Sequence, residues 1–261
     1  MDIVSYLARI GYEGPVGPTP AVLNALHRAH ISTVPFENLD IALRIPIELD
    51  YKRLFEKVVG RNRGGFCYEL NALFGWLLRE IGFEVEMLSA RVFGEERVPG
   101  PDFDHMLLRV DREFVADVGF GDSFTRPLRF ESGEQEQETG KYRVTAKEGA
   151  FQLERNRGEG WSPQYLFTVE PRRLDQFEEM CLFQQTSPKS TFTRKIVCSK
   201  AAEKGRLTYA NGRFIETGEN VKVESVVKRP DDLRKILLDT FGIGLEAGYE
   251  KLLRKSERAP R

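Results

Sequence analysis

Arg63-Gly64-Gly65-Phe66-Cys67-Tyr68-Glu69-Leu70-Asn71 places a cysteine directly behind a glycine pair and at the head of an apolar-periodic run. Counting from Phe66, apolar side chains return at Leu70, Leu73, Phe74, Leu77, Leu78 and Ile81. That spacing predicts a buried helix. Gly64 and Gly65 supply backbone freedom for a sharp turn into it. Cys67 then stands where free N–H groups and the helix dipole favour negative charge. A thiol in such a place loses its proton more readily and becomes a nucleophile. Downstream, His105 lies in Phe103-Asp104-His105-Met106-Leu107-Leu108, and Asp117 in Phe114-Val115-Ala116-Asp117-Val118-Gly119-Phe120-Gly121. Cysteine, histidine and aspartate in three distinct settings are the material of an activated-thiol triad.

The ordinary reading of a lone cysteine is a small buried hydrophobe. Two details favour the chemical reading here. The chain has three histidines, and only His105 falls within a strand-like apolar stretch; His27 and His30 sit among charged neighbours on a predicted helix and are expected to be solvated. The second detail is Asp117, flanked by apolar residues, where an ionised group needs a partner if buried. A histidine on the preceding strand would supply it.

Composition bounds the answer without deciding it. Apolar residues at 41% and charged residues at 30% describe an ordinary globular protein, and 261 residues are ample for a core. The formal net charge of −1 leaves no electrostatic footprint for nucleic acid or an anionic membrane. No apolar run is long enough to span a bilayer. The start, Met1-Asp2-Ile3-Val4-Ser5-Tyr6-Leu7, lacks the basic head and apolar core of a signal peptide. Three widely spaced cysteines, Cys67, Cys181 and Cys198, argue against a disulfide framework, and no CxxC pair suggests a metal site. A reduced, cytoplasmic chain is the expectation, with Cys181 and Cys198 inert.

The first third reads helical, over 2–10, from 20 onward and over 50–59, with an irregular link at 34–40 before the cysteine helix. From Gly82 the period changes. Strands are predicted over 84–93, 105–110 and 113–118, with a hairpin turn at Asp111-Arg112, and over 141–146, 151–157 and 165–169. An acidic stretch at 131–140 reads as a loop. Closely spaced strands of this kind suggest a small barrel or sandwich. Further strands are expected at 194–198, 206–209 and 213–216, the last two joined at Asn211-Gly212, a strong hairpin turn. Pro230 opens a last helix that Gly242 ends, and the charged tail after Lys255 is expected to fray.

Taken together, Met1-Asp2-Ile3, Arg9-Ile10-Gly11-Tyr12, Val34-Pro35-Phe36-Glu37-Asn38-Leu39, the Arg63–Cys67 block, the His105 strand, Asp117-Val118-Gly119-Phe120-Gly121 and Ser187-Pro188-Lys189-Ser190-Thr191-Phe192 resemble an arylamine N-acetyltransferase. The resemblance implies an α+β fold with a cysteine-protease-like core: a helical domain over 1–83 carrying Cys67, a β-barrel domain over 84–186 carrying His105 and Asp117, and an α/β lid over 187–261. It implies acetyl-CoA as acetyl donor, no metal, and an aromatic amine, hydrazine or arylhydroxylamine as acceptor. Phe36, Phe120 and Phe192 match aromatic pocket positions of the family, although core packing explains each equally well. Gly119 and Gly121 resemble a turn that lets backbone approach the CoA phosphates, although a tight strand exit would use the same glycines.

The chemistry that follows is a Cys67 thiolate paired with protonated His105, Asp117 orienting the ring, and an acetyl-cysteine intermediate released to the amine. Two alternatives stand beside it: an amide synthase of the same family acting on a tethered acyl chain, and a binding module with a relic triad. Glu37, Asp40 and Arg63, charges within apolar motifs, are expected to pair and to fix the loop behind Cys67.

Overall fold

The computed structural model describes residues 1–94, 96–130, 133–203, 205–218 and 221–257. Its helices are α1 (Ile3–Arg9), α2 (Pro20–Thr33), α3 (Leu39–Leu43), α4 (Tyr51–Phe55), α5 (Cys67–Ile81), α6 (Glu178–Thr186), α7 (Thr191–Arg194), α8 (Pro230–Lys235) and α9 (Tyr249–Glu257). The strands are β1 (Phe36–Glu37), β2 (Val85–Val92), β3 (His105–Val110), β4 (Phe114–Ala116), β5 (Leu128–Arg129), β6 (Gln135–Gln137), β7 (Gly140–Lys147), β8 (Ala150–Asn156) and β9 (Trp161–Phe167), followed by β10 (Val197–Ala202), β11 (Gly205–Ala210), β12 (Arg213–Thr217) and β13 (Lys222–Val226). The fold is α+β, and the chain forms two compact units.

One unit comprises residues 1–11, 31–66 and 178–261. Its antiparallel sheet runs β1-β10-β11-β12-β13. Asn211 and Gly212 take φ of 46° and 80° between the paired Ala210 and Arg213, as a two-residue hairpin requires. Leu39, Ile196, Tyr209, Leu237, Phe241 and Leu252 form its core. A buried ionic cluster lies beside β1: the Arg63 guanidinium reaches Glu37 Oε1 and Asp40 Oδ1, each at 2.7 Å, and Lys57 Nζ holds Asp40 Oδ2 at 2.8 Å. The expected Glu37–Arg63 pair is thus present, within a larger set of four charges. Gly64 is needed here for room more than for freedom. A Cβ on it would stand 1.9 Å from the Pro35 carbonyl oxygen, where β1 and Gly65 run side by side.

The other unit comprises residues 12–30 and 67–177. Helix α5 is buried on almost every side, with Leu70, Leu73, Phe74, Leu77 and Leu78 fully covered. The sheet order is β5-β4-β3-β2-β9-β8-β7-β6, a nearly closed barrel. Side chains make the seam between its ends. Gln135 accepts from the Arg129 N–H at 2.7 Å and donates to the Arg129 carbonyl at 2.9 Å. Gln137 accepts from the Thr125 and Arg126 N–H groups and donates to the Arg126 carbonyl. Leu88, Leu107, Val115, Phe124, Tyr142, Leu153 and Phe167 fill the interior.

Several boundaries differ from those read off the sequence. The link at 34–40 contains β1, which pairs with β10, and the start of α3. The strand expected at 165–169 occupies Trp161–Phe167; Pro163 within it hid the pattern. The segment at 194–198 divides into α7, capped by Ser190 Oγ on the Phe192 N–H, and the start of β10. The acidic loop contains β6, while residues 131 and 132 lie outside the described residues, as do 258–261 of the tail. Helices α6 and α9 and strand β13 had no counterpart in the reading. Asp111 and Arg112 do form the turn expected of them, both with positive φ.

Candidate active site

Cys67 is the first residue of α5 and is buried, as are His105 at the start of β3 and Asp117 just past the end of β4. Strands β3 and β4 are hydrogen-bonded neighbours, so histidine and aspartate reach each other across the pair: His105 Nε2 lies 2.7 Å from Asp117 Oδ2. The helix is tied to the same point through Asn71, one turn beyond Cys67 and on the same helix face. Its amide nitrogen donates to Asp117 Oδ1 at 2.9 Å and to the Met106 carbonyl at 2.6 Å, while its oxygen accepts from the Val118 N–H at 2.9 Å. Gly119 brings the strand exit against the helix start; a Cβ on it would lie 2.7 Å from Cys67 Cα and from Asn71 Nδ2.

Four donors meet the Asp117 carboxylate. Oδ2 accepts from His105 and from Tyr165 O–H at 3.2 Å, and Oδ1 accepts from Asn71 and from the Gly119 N–H at 3.0 Å. That number matches the accepting capacity of an ionised carboxylate. Burial alone would push this carboxyl up; the His105 charge and the hydrogen bonds from His105, Asn71 and Gly119 outweigh it and hold the group below its ordinary value. A carboxylate only accepts, so His105 Nε2 carries the shared proton and Nδ1 is the ring nitrogen left for other chemistry. The Tyr165 hydroxyl is raised well above its ordinary value, first by burial and then by the Asp117 charge, so it stays a donor.

The expectation of solvated histidines at 27 and 30 is overturned. Both are fully buried. His27 stacks on Phe124 with ring centres 5.6 Å apart, and His30 meets Phe74 edge-on at 5.3 Å. The one charged residue of α2, Arg28, is exposed on the other side of the helix, and the inward side is the one carrying both rings. Asn71 and Tyr165 were missed as well. An amide four residues after the cysteine, inside an apolar helix, was the available signal for Asn71. Tyr165 gave none beyond strand alternation.

Phe120 belongs to this cluster, its ring 5.2 Å from those of both His105 and Tyr165. Phe36 and Phe192 lie in the other unit with ring centres 6.1 Å apart, and Phe192 meets Phe66 edge-on at 5.6 Å. There Asn38 holds the Phe192 and Lys195 carbonyls at 3.0 and 2.7 Å, fixing the segment that presents Phe192. Gly121 takes φ of 88°, a backbone that side chains rarely adopt. Cys181 and Cys198 are buried, and burial raises the Cys198 thiol well above its ordinary value, consistent with inert packing. Among the described residues no helix is long and apolar enough to cross a membrane.

A cysteine-headed helix locked to a histidine–aspartate pair on a barrel sheet fits acyl transfer, and the comparisons agree. Residues 20–249 match the N-acetyltransferase family model. The chain belongs to the arylamine N-acetyltransferase family. It is 37% identical to the arylamine N-acetyltransferase of Mycolicibacterium smegmatis over 94% of this chain and 93% of that protein. A crystallographic structure of a Mycobacterium smegmatis N-arylamine acetyltransferase superposes with a TM-score of 0.90 at 34% identity, covering 98% of each chain. The Mycobacterium marinum arylamine N-acetyltransferase in complex with CoA superposes with a TM-score of 0.89 at 28% identity, over 99% of this chain and 100% of that one.

Proposed function

We propose that the chain carries an acetyl group from acetyl-CoA to an aromatic amine, hydrazine or arylhydroxylamine through a thioester on Cys67. The observation that carries this reading is the His105–Asp117 pair at 2.7 Å, joined through Asn71 to the helix that Cys67 opens. His105 Nδ1 takes the thiol proton, and Asp117, saturated with donors, stabilises the imidazolium. The thiolate attacks the thioester carbonyl of acetyl-CoA. The carbon–sulfur bond to CoA breaks, the CoA thiolate takes the proton from His105 and leaves as CoA thiol, and acetyl-Cys67 remains. The acceptor nitrogen then attacks that carbonyl; His105 removes the amine proton and returns it to the Cys67 sulfur as the thioester breaks. Backbone N–H groups at the head of α5, together with its dipole, serve the oxyanion in both steps.

Exchange of one thioester for another costs little free energy, and an aromatic amine is unprotonated at neutral pH, so no strong base is required. Phe120, over His105, excludes water from the acetyl-enzyme and faces the acceptor. Phe36 and Phe192, and the CoA-facing role of Gly119 and Gly121, enter this reading through the family resemblance. The CoA complex of the Mycobacterium marinum relative supports the choice of donor. Three buried, unlinked thiols suit a reducing cytoplasm.

Mass spectrometry of the protein incubated with acetyl-CoA alone tests the reading. One acetyl group on Cys67, absent in Cys67→Ala and removed by an added arylamine, is the expected result, with parallel double-reciprocal plots in steady state. Transfer by the alanine variant would overturn it.

A further inference from the structure

His27 has no part in the mechanism above, yet it touches both ends of the loop that carries Phe120. Its Nδ1 lies 2.9 Å from the Thr125 carbonyl oxygen, and its Nε2 lies 3.3 Å from the Asp117 nitrogen and 3.2 Å from the Asp117 oxygen. Nδ1 faces only a carbonyl, at the shorter distance, whereas Nε2 also has the Asp117 N–H in reach, so the single proton of the neutral ring belongs on Nδ1. Burial lowers the ring's affinity for a second proton, leaving Nε2 bare at neutral pH to accept from the Asp117 N–H. One neutral ring thereby bridges residues 117 and 125, wedged between Phe124, stacked at 5.6 Å, and Phe74, edge-on at 6.0 Å.

The segment between those ends has no helix or strand. Side chains hold it at intervals: Asn71 takes the Val118 N–H, Asp117 the Gly119 N–H, Arg155 the Asp122 carbonyl, and Thr139 the Ser123 carbonyl. His27 is the one among these that joins its two ends. We propose that His27 is a positioning residue that pins the base of loop 117–125 and so sets Phe120 against His105, governing acceptor selection. The acceptor clause rests on the function proposed above; the pinning does not.

The first test uses the unaltered protein. Nitrogen-15 NMR of histidine-labelled protein at pH 7 should show His27 with Nδ1 protonated and Nε2 bare. A ring protonated on Nε2 alone, or on both nitrogens, would overturn the bridge. The second test compares His27→Phe, which keeps the stacking and loses both hydrogen bonds, with His27→Gln, which offers a donor and an acceptor on one side chain. In His27→Phe, amide hydrogen exchange over 118–125 should quicken about tenfold or more as buried backbone groups lose their partner. The acceptor KM and the hydrolysis of acetyl-Cys67 should rise to a similar degree. Alkylation of Cys67 by iodoacetamide at pH 7, which reports the triad, should stay within about twofold, and His27→Gln should recover part of the loss. A folded His27→Phe with unchanged exchange over the loop would end the proposal, as would changed exchange with an unchanged acceptor KM. Should the parent protein take no acetyl group, the function reading fails by itself, and the NMR and exchange results still decide the pin. Should His27→Phe fail to fold, the NMR result decides.

Discussion

Asn71 and Asp117 meet at 2.9 Å, and that hydrogen bond ties the helix that begins with Cys67 to the carboxylate that orients His105. Asn71 also donates to the Met106 carbonyl and accepts from the Val118 N–H, so one amide fixes both strand ends against one helix turn. The helix that opens with Cys67 and the strand that opens with His105 are thus tied together by a side chain outside the proposed chemistry.

Asn71→Leu keeps the volume and removes all three bonds. Two buried backbone groups then lack a partner, at a cost of about 1–3 kcal/mol each where they cannot relax. Alkylation of Cys67 at pH 7 is expected to slow about tenfold or more, with a lowered denaturation midpoint. Alkylation at the parental rate in folded variant would show that Asn71 only packs.

His27 gives the folded protein a defined acid sensitivity. Burial, the largest influence, lowers its pKa from 6.5 to about 4, against the opposing hydrogen bonds and the Asp117 charge. The unfolded chain binds this proton near pH 6.5 and the folded chain only near 4. The contribution is therefore complete above pH 6.5 and is lost as the pH falls through that window, up to about 3 kcal/mol. Urea midpoints at pH 7, 5.5 and 4.5 should decline in the parent and decline less in His27→Phe. Equal slopes would place the acid sensitivity in other groups.

The buried ionic cluster predicts an order of effects. Arg63 faces both Glu37 and Asp40, so Arg63→Met leaves a carboxylate without its cation and should cost about 3–5 kcal/mol. Glu37→Gln should cost less, because its amide oxygen still accepts from Arg63 and Asp40 keeps both cations. Asp40 itself is pushed up by burial but held below its ordinary value overall by Lys57 and Arg63. Chemical denaturation of the two variants checks the order. Acetylation of Cys67 in the soluble fraction of each should remain stoichiometric, since the cluster touches none of the reacting groups.

The two glycines past Asp117 should respond differently. Gly119→Ala drives a methyl group to 2.7 Å from Cys67 Cα, which neither backbone can accommodate. Loss of Cys67 reactivity, with or without loss of fold, is the expected outcome. Gly121→Ala meets an unfavourable backbone angle, worth about 1–2 kcal/mol, and should stay reactive toward iodoacetamide. Thermal melts and labelling of both variants separate the cases.

The sequence shows the cysteine helix, the histidine strand and the aspartate clearly because each breaks its local pattern: a thiol behind glycines, a histidine heading Met106-Leu107-Leu108, an acid between Ala116 and Val118. It shows the partners of Asp117 poorly. Tyr165 differs in no local respect from any inward-facing strand tyrosine, and its hydroxyl reaches Asp117 from 48 residues away. His27 and His30 read as solvated because Arg28 stands between them in sequence, although it lies on the opposite side of α2, and a short amphipathic helix does not announce which polar residues share its apolar side. Gly64 was read as freedom and proved to be space, a distinction that depends on Pro35, far off in the sequence.

The Gln135 and Gln137 seam has a further consequence. Elsewhere in the barrel, neighbouring strands are registered by backbone ladders, where a one-residue slip would turn every side chain to the wrong face. Glutamine amides imitate a strand edge without imposing that constraint. The length of chain between β5 and β6 is thereby released from the arithmetic of the sheet: it can change in evolution while the walls that hold His105 and Asp117 keep their alignment.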